Sequence, residues 1–303
     1  MTEHTGHYAM PQPIEPANTD HVRRKMLDIP YADRSPTQQL DIYLPDEGHG
    51  PFPVIVSIHG GAFMGGDKAD AQVLPMLAGL QRGYAIVAIN YRLSWEAPFP
   101  ALVHDARAAI RWIRANAPQY GFDPGRIATW GGSAGGYLSL FAGISAGVEA
   151  LEDLTLGNPA ESSGVQAVVA WFPPTDFLKM DEQLVAAGLP PRPGEEHSGP
   201  NSPESLLLGV PITTVPDLVR AANPETYITP SAPPFLVQHG TADNVVPAGQ
   251  SISFTNKLQE VIGAERCALD LLEGAGHADP RFNTPGNVAR VLDFLDRVLR
   301  DQH

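Results

Sequence analysis

The sharpest chemistry in the chain lies in Gly131-Gly132-Ser133-Ala134-Gly135-Gly136. The stretch follows the short apolar run Ile127 to Trp130 and precedes a helix-like run from Tyr137 to Ile144. A serine bracketed by glycines between strand and helix sits at the tip of a strained turn. Its hydroxyl is exposed there, and the N–H groups that follow lie at a helix N-terminus, able to hold a developing negative charge. A side chain at position 131 or 135 would collide with the neighbouring strand or helix. A hydroxyl is a poor nucleophile until a base takes its proton, and the base, usually an imidazole, is steadied by a carboxylate. The chain supplies both downstream. Asp243 stands just past the apolar run Phe235-Leu236-Val237, and His277 stands on the glycine-rich segment Glu273-Gly274-Ala275-Gly276-His277, ahead of the last helical pattern. Asp176, Asp217 and Asp279 compete for the role of acid. Asp176, which also follows an apolar run, is the alternative should Asp243 point away.

A fourth component is His59-Gly60-Gly61-Ala62-Phe63, directly after the apolar run Val54 to Ile58. The two glycines let backbone N–H groups turn inward. Those of Gly61 and Ala62, with that of Ala134, are expected to form an oxyanion hole; one such donor typically contributes roughly 3 kcal/mol to a tetrahedral transition state. His59 reads as a loop-pinning residue, and His104 and His239 read as structural. Phe63, Tyr91, Trp95, Phe172 and Phe177 are the aromatics expected to line the substrate pocket, with core packing as the alternative for each.

These residues need a scaffold that brings distant loops to one edge. Lys25 to Tyr31 and Gln38 to Leu44 read as an antiparallel hairpin, the second with the alternation of a half-exposed strand. Val54 to Ile58, Tyr84 to Ile89, Ala167 to Trp171 and Phe235 to Val237 are continuous apolar runs, as central parallel strands require. Helical patterns alternate with them. The clearest spans 101–116, with Arg107, Arg111 and Arg114 outside its apolar face and Pro118 ending it. Gln250 to Val261 and Val288 to Leu299 repeat the pattern. The expectation is α/β: a doubly wound, mostly parallel sheet with a leading antiparallel hairpin. Residues 1–22 read as an arm and 23–303 as the catalytic domain. The Pro- and Gly-rich stretch 173–234, after the sixth strand, reads as a lid, because excursions this long are usually functional.

Composition narrows the rest. In 303 residues, 34 acidic side chains face 20 basic ones, for a formal charge of −14. The chain lacks the basic footprint that nucleic acid or an anionic membrane demands. The single cysteine, Cys267, lies in a strand-like apolar run and reads as buried and inert. No Cys/His cluster has metal-ligand spacing, no apolar run reaches membrane-spanning length, and the polar start lacks a secretory pattern. A cytoplasmic location is the default expectation. Oligomeric state stays open, a homo-oligomer included.

Together the motifs resemble the α/β-hydrolase superfamily, and within it the hormone-sensitive-lipase-like esterases and the bacterial feruloyl and acetylxylan esterases. The matching pieces run from Leu40-Asp41-Ile42-Tyr43-Leu44-Pro45 through the His59 to Phe63 loop, Asn90-Tyr91-Arg92-Leu93, Asp105 to Trp112, the Ser133 turn and His239-Gly240-Thr241-Ala242-Asp243 to Gly276-His277. Departures from the lipase-like group are Gly132 where an acid usually precedes the serine, Ala62 in place of a third glycine, and an insertion after Phe172 instead of an N-terminal helical cap. The resemblance implies a cofactor-free α/β-hydrolase with Ser133, His277 and Asp243 as triad, acting through an acyl-enzyme on short-chain or hydroxycinnamoyl esters, small or glycan-linked. An amidase of the kynurenine-formamidase kind and a noncatalytic binding protein on the same fold are the alternatives.

Overall fold

The computed structural model describes residues 16–300. Most of the expected arm, residues 1–15, lies outside them. The arm's described end is tied down: the Ala17 N–H donates to the Ala69 carbonyl at 2.7 Å, and Val22 is buried.

Among the described residues, eight strands make one sheet: β1 (Lys25–Pro30), β2 (Gln39–Tyr43), β3 (Phe52–Ile58), β4 (Ala85–Ile89), β5 (Phe122–Gly132), β6 (Ala167–Trp171), β7 (Phe235–Gly240) and β8 (Cys267–Leu272), in the order β1-β2-β4-β3-β5-β6-β7-β8. β1 pairs antiparallel with β2, and β2 antiparallel with β4; every other pair is parallel. The helices are α1 (Leu74–Leu77), α2 (Ala101–Ala115), α3 (Ala117–Tyr120), α4 (Ala134–Ile144), α5 (Met180–Ala186), α6 (Pro203–Leu208), α7 (Pro216–Ala221), α8 (Ala248–Ile262) and α9 (Pro285–Leu299). None of the described helices is long and apolar enough to cross a membrane.

The strands are apolar throughout because both faces are covered, and alternate residues feed two separate cores. Val54, Val56 and Ile58 of β3 join Ile110 of α2, Phe141 of α4 and Phe254 of α8 on one side. Ile55, with Trp130 and Val169, joins Met76 of α1 and Val291 and Leu295 of α9 on the other. Parallel register then aligns the strand ends. Ile58 stands opposite Gly131, Gly132 opposite Trp171, and Gly240 opposite Leu272. The loops after β3, β5, β6, β7 and β8 therefore all leave from one carboxyl edge, where open α/β sheets place their ligands.

Three expectations change. β2 is not half-exposed: Asp41 and Tyr43 are each 1% exposed, because Lys68 Nζ neutralises Asp41 at 3.0 Å and Tyr43 packs into the second core. Nor do the arginines of α2 face solvent. Arg107 and Arg111 are buried, with Glu152 at 2.9 Å from Arg107 Nε and 2.5 Å from Arg111 Nη1. Arg107 also donates to Ser145 and Ser163, and Arg114 donates to the Ser162 and Gly164 carbonyls. Residues 145–166 fold back over this face and turn it into an interior polar layer. Pro118 does not simply end α2; it occupies the first turn of α3, where its missing N–H is not needed.

Candidate active site

Ser133 follows β5 and precedes α4, with φ 55° and ψ −121°. Only a turn this tight returns the chain into the helix over the strand end, and it leaves no room for side chains at its base. A Cβ on Gly135 would lie 2.0 Å from the Ile58 carbonyl oxygen of β3. The Ser133 N–H donates to the Trp171 carbonyl at 2.9 Å, which fastens the turn to β6.

His277, on the loop after β8, places Nε2 at 3.1 Å from Ser133 Oγ, and its Nδ1 lies 2.8 Å from Asp243 Oδ2. Asp243 is 1% exposed and sits past the end of β7. Its Oδ1 accepts the N–H groups of Val245 and Val246, both at 2.9 Å. Burial works against its charge. Hydrogen bonds from His239 and His277 win, and hold the carboxyl well below the usual carboxylate range. A carboxylate at Nδ1 fixes that nitrogen as the proton carrier, so Nε2 is free to accept the Ser133 hydroxyl. Asp176, the alternative acid, is turned toward Lys179 at 3.7 Å and is not in this chain of bonds.

The loop after β3 arrives beside the serine: a Cβ on Gly60 would lie 3.3 Å from Ser133 Cβ. Gly61 has φ 124°, and a side chain there would meet the Gly65 carbonyl oxygen at 2.2 Å. Among the described residues, the N–H groups of Gly61, Ala62 and Ala134 have no hydrogen-bond acceptor. His59 supports the loop from behind. It is buried, its Nδ1 lies 2.8 Å from the Gly60 carbonyl, and its ring stacks on Tyr91 at 4.4 Å. Burial lowers its pKa and keeps the imidazole neutral.

Two cavities meet at Ala62, Ser133 and Val245. One, about 400 Å³, is walled by Phe63 and by the segment after β6, including Pro174, Leu184, His197 and Glu204. The other, about 510 Å³, is lined by His277, Gln72, Trp171, Phe172 and Phe282. Of the five aromatics expected in the pocket, Phe63 lines the first cavity and Phe172 the second, edge-on to the His277 ring at 4.8 Å. The other three do not. Phe177 is buried one layer behind Phe63, at 6.1 Å between ring centres. Tyr91 is buried beneath the β3 loop, donating its hydroxyl to the His59 carbonyl at 2.9 Å. Trp95 is 67% exposed beside a separate hollow. The loop after β4 turns away from the serine, which is why these last two miss the site.

Four residues contribute that the motifs do not assign to the site. Gln72 Oε1 accepts the Gly60 N–H at 2.8 Å and so positions the loop. His239, in the matching stretch but read only as structural, braces Asp243 Oδ2 at 3.3 Å while its Nδ1 meets Ser251 Oγ at 2.7 Å. His197 and Glu204 form a buried pair in the wall of the smaller cavity, 3.0 Å apart. The arrangement of hydroxyl, imidazole, carboxylate and unpaired N–H groups can carry out acyl transfer. Among the described residues, no group of three or more His, Cys, Asp or Glu is placed to hold a metal ion.

Comparison with known proteins fits this geometry. The family model BD-FAE matches residues 40–258. The chain belongs to the BD-FAE family. Its scaffold is the α/β-hydrolase fold, seen also in a solved structure titled as a truncated form of a carbohydrate esterase from gut microbiota. That match has a TM-score of 0.81 and 30% identity, over 93% of this chain and 99% of that one. Esterase LipQ and Esterase LipC of Mycobacterium tuberculosis are each 33% identical to this BD-FAE chain, over 83% and 92% of it. The chain spans only 56% and 66% of their lengths.

Proposed function

We propose that this chain is a serine carboxylesterase working through an acyl-enzyme. The observation that carries the reading is the line from Ser133 Oγ through His277 at 3.1 Å to Asp243 at 2.8 Å, set beside three backbone N–H groups that have no acceptor among the described residues. The names of its relatives, esterases in each case, support the same reaction. Ser133 Oγ attacks the ester carbonyl as His277 Nε2 takes its proton. The N–H groups of Gly61, Ala62 and Ala134 hold the oxyanion, and Asp243 keeps the imidazole in its working tautomer and steadies the imidazolium. Collapse breaks the bond to the alcohol oxygen, which leaves with the proton from His277. Water then repeats the attack on the acyl-enzyme and restores Ser133.

The substrates of this reading are short-chain or hydroxycinnamoyl esters of small or glycan-linked alcohols, with residues 173–234 as the lid. The aromatic walls at Phe63 and Phe172 and the carbohydrate esterase likeness support that class. A panel of acetyl, butyryl, long-chain and feruloyl esters tests it. The wild type turns over the acetyl, butyryl or feruloyl members, and Ser133→Ala loses at least about 10⁴-fold in kcat. Retained activity in Ser133→Ala refutes the nucleophile, and a preference for long chains refutes the substrate class.

A further inference from the structure

Only one of the two cavities at Ser133 is lined by His277, and that difference assigns the halves of an ester. When the tetrahedral adduct collapses, the departing alcohol oxygen takes the proton held on His277 Nε2, so the alcohol stands against the imidazole. The cavity of about 510 Å³, with His277, Phe172 and Phe282 in its wall, is therefore the alcohol side. The cavity of about 400 Å³ shares Ser133 and Ala62 with it and adds Ala134, but His277 is not among its lining residues, which leaves it for the acyl group. This step rests on the esterase reading above.

The acyl side is not uniformly apolar. Beside Phe63, Leu184 and Leu189 its wall holds the buried pair His197 and Glu204, 6% and 3% exposed. Both nitrogens of His197 are engaged, Nδ1 with Glu204 Oε1 at 3.0 Å and Nε2 with the Val245 carbonyl at 2.8 Å. Glu204 Oε2, equally buried, makes no hydrogen bond among the described residues. A buried carboxylate oxygen normally accepts from a donor. Because His197 already balances the charge, a neutral hydroxyl suits Oε2 better than a second cation. A purely aliphatic chain filling this cavity would lie against the pair and leave Oε2 unsatisfied.

We propose that the smaller cavity receives the acyl group and that Glu204 Oε2 accepts a hydrogen bond from a hydroxyl on it, so that Glu204 sets a preference for hydroxylated acyl chains. Side-chain rotations of the kind common on binding bring donor and acceptor together.

The test compares kcat/KM for methyl 3-(4-hydroxyphenyl)propanoate, its 4-methoxy analogue and methyl 3-phenylpropanoate, with phenyl acetate as an ester lacking the acyl extension. In the wild type the hydroxy ester exceeds the unsubstituted one by about tenfold or more, the ratio one hydrogen bond to a charged group supplies. In Glu204→Gln the amide carbonyl stays with His197 and the NH₂ replaces Oε2. The hydroxy preference then falls to near unity, and the methoxy ester, which can only accept, gains on it. These ratios are taken within each variant, so a general loss of activity cancels. A wild-type ratio near one, or a ratio that survives Glu204→Gln, overturns the proposal. If Glu204→Gln does not fold, Glu204→Asp must lower the ratio, and if neither folds the wild-type ratio alone decides. Turnover of phenyl acetate with refusal of all three propanoates overturns the acyl assignment alone. Failure on phenyl acetate as well is failure of the esterase reading itself.

Discussion

Asp243→Asn isolates what the carboxylate does, because the side chain keeps its shape and the structure dictates how the amide must sit. Oδ1 of Asp243 accepts two backbone N–H groups, each at 2.9 Å. An amide NH₂ in that position would face two donors, each clash costing on the order of 1–3 kcal/mol. The amide oxygen therefore stays there, and the NH₂ takes the place of Oδ2, 2.8 Å from His277 Nδ1 and 3.3 Å from His239 Nε2. Facing a donor, Nδ1 of His277 gives up its proton and the ring holds it on Nε2. That nitrogen, 3.1 Å from Ser133 Oγ, then donates to the hydroxyl it should deprotonate. The same wrong-tautomer substitution in serine protease triads lowers kcat about 10⁴-fold, which corresponds to about 5 kcal/mol of barrier. Asp243 lines neither cavity at the serine, so KM for phenyl acetate is expected to stay within about threefold while kcat carries the loss. The assay is steady-state hydrolysis at neutral pH, with thermal unfolding to show that the fold persists. A kcat within tenfold of wild type refutes the assignment of Asp243 as the acid.

Three further outcomes follow from packing and charge. Gly135→Ala forces a Cβ to within 2.0 Å of the Ile58 carbonyl oxygen; a loss of about 3 kcal/mol or more in denaturant unfolding, with activity, is expected, and an unchanged midpoint contradicts the close approach. His197 is held at a raised pKa of about 9: burial opposes the charge, but Glu204 and the Val245 carbonyl outweigh it. A raised folded-state pKa gives stability that is full below the unfolded value of about 6.5 and lost as pH climbs through 9. Unfolding free energy should therefore fall by on the order of 3 kcal/mol across that window in the wild type, and His197→Gln should flatten the slope; a slope shared by both would place the titration elsewhere. Burial pushes the Cys267 thiol up to about 12, so a disulfide reagent at pH 8 should label it only after unfolding; fast labelling of the native protein contradicts its burial.

Much of this was legible because the relevant signals are local. An apolar run marks a buried strand, glycines around a serine mark the turn, and parallel pairing in register converts the order Ser133, Asp243, His277 into proximity at one edge. What failed to read depends on partners with no pattern of their own. Arg107 and Arg111 sit where a helix should face water, and only the fold of 145–166, with Glu152 and Ser163, makes that face interior. Asp41 reads as the solvent side of a strand because nothing in the sequence announces Lys68. Tyr91 and Trp95 follow a core strand as a pocket residue would, yet the direction of the loop after β4 is set by tertiary contacts. Pro203 opens α6, with Ser202 capping the Ser205 N–H. That Glu204 in the next position meets His197 across the insertion has no local signal.

The strain around the serine shows how the loops divide the task. Seven non-glycine residues among those described have positive φ, and five of them, Ala62, Phe63, Ser133, Phe172 and Ala278, stand in the loops that meet at Ser133. Each such conformation costs roughly 1–3 kcal/mol, against a total stability of about 5–15 kcal/mol for a typical domain. Five together are tolerable only if rigid neighbours over-determine them, and each loop is indeed bonded to the next. Ser133 is held by the Trp171 carbonyl, Phe172 by the Gln238 carbonyl, and Ala242 by the Ala275 carbonyl. Gln72 and Tyr91 hold the loop that carries Ala62 and Phe63. The bonds run from strand end to strand end, so the sheet fixes where hydroxyl, imidazole and N–H donors stand relative to one another. Beyond Phe172, the segment after β6 contributes a wall of the smaller cavity. Changes within that wall should therefore alter which acyl group is accepted, whereas changes to the interlocking loops should alter the rate for every ester.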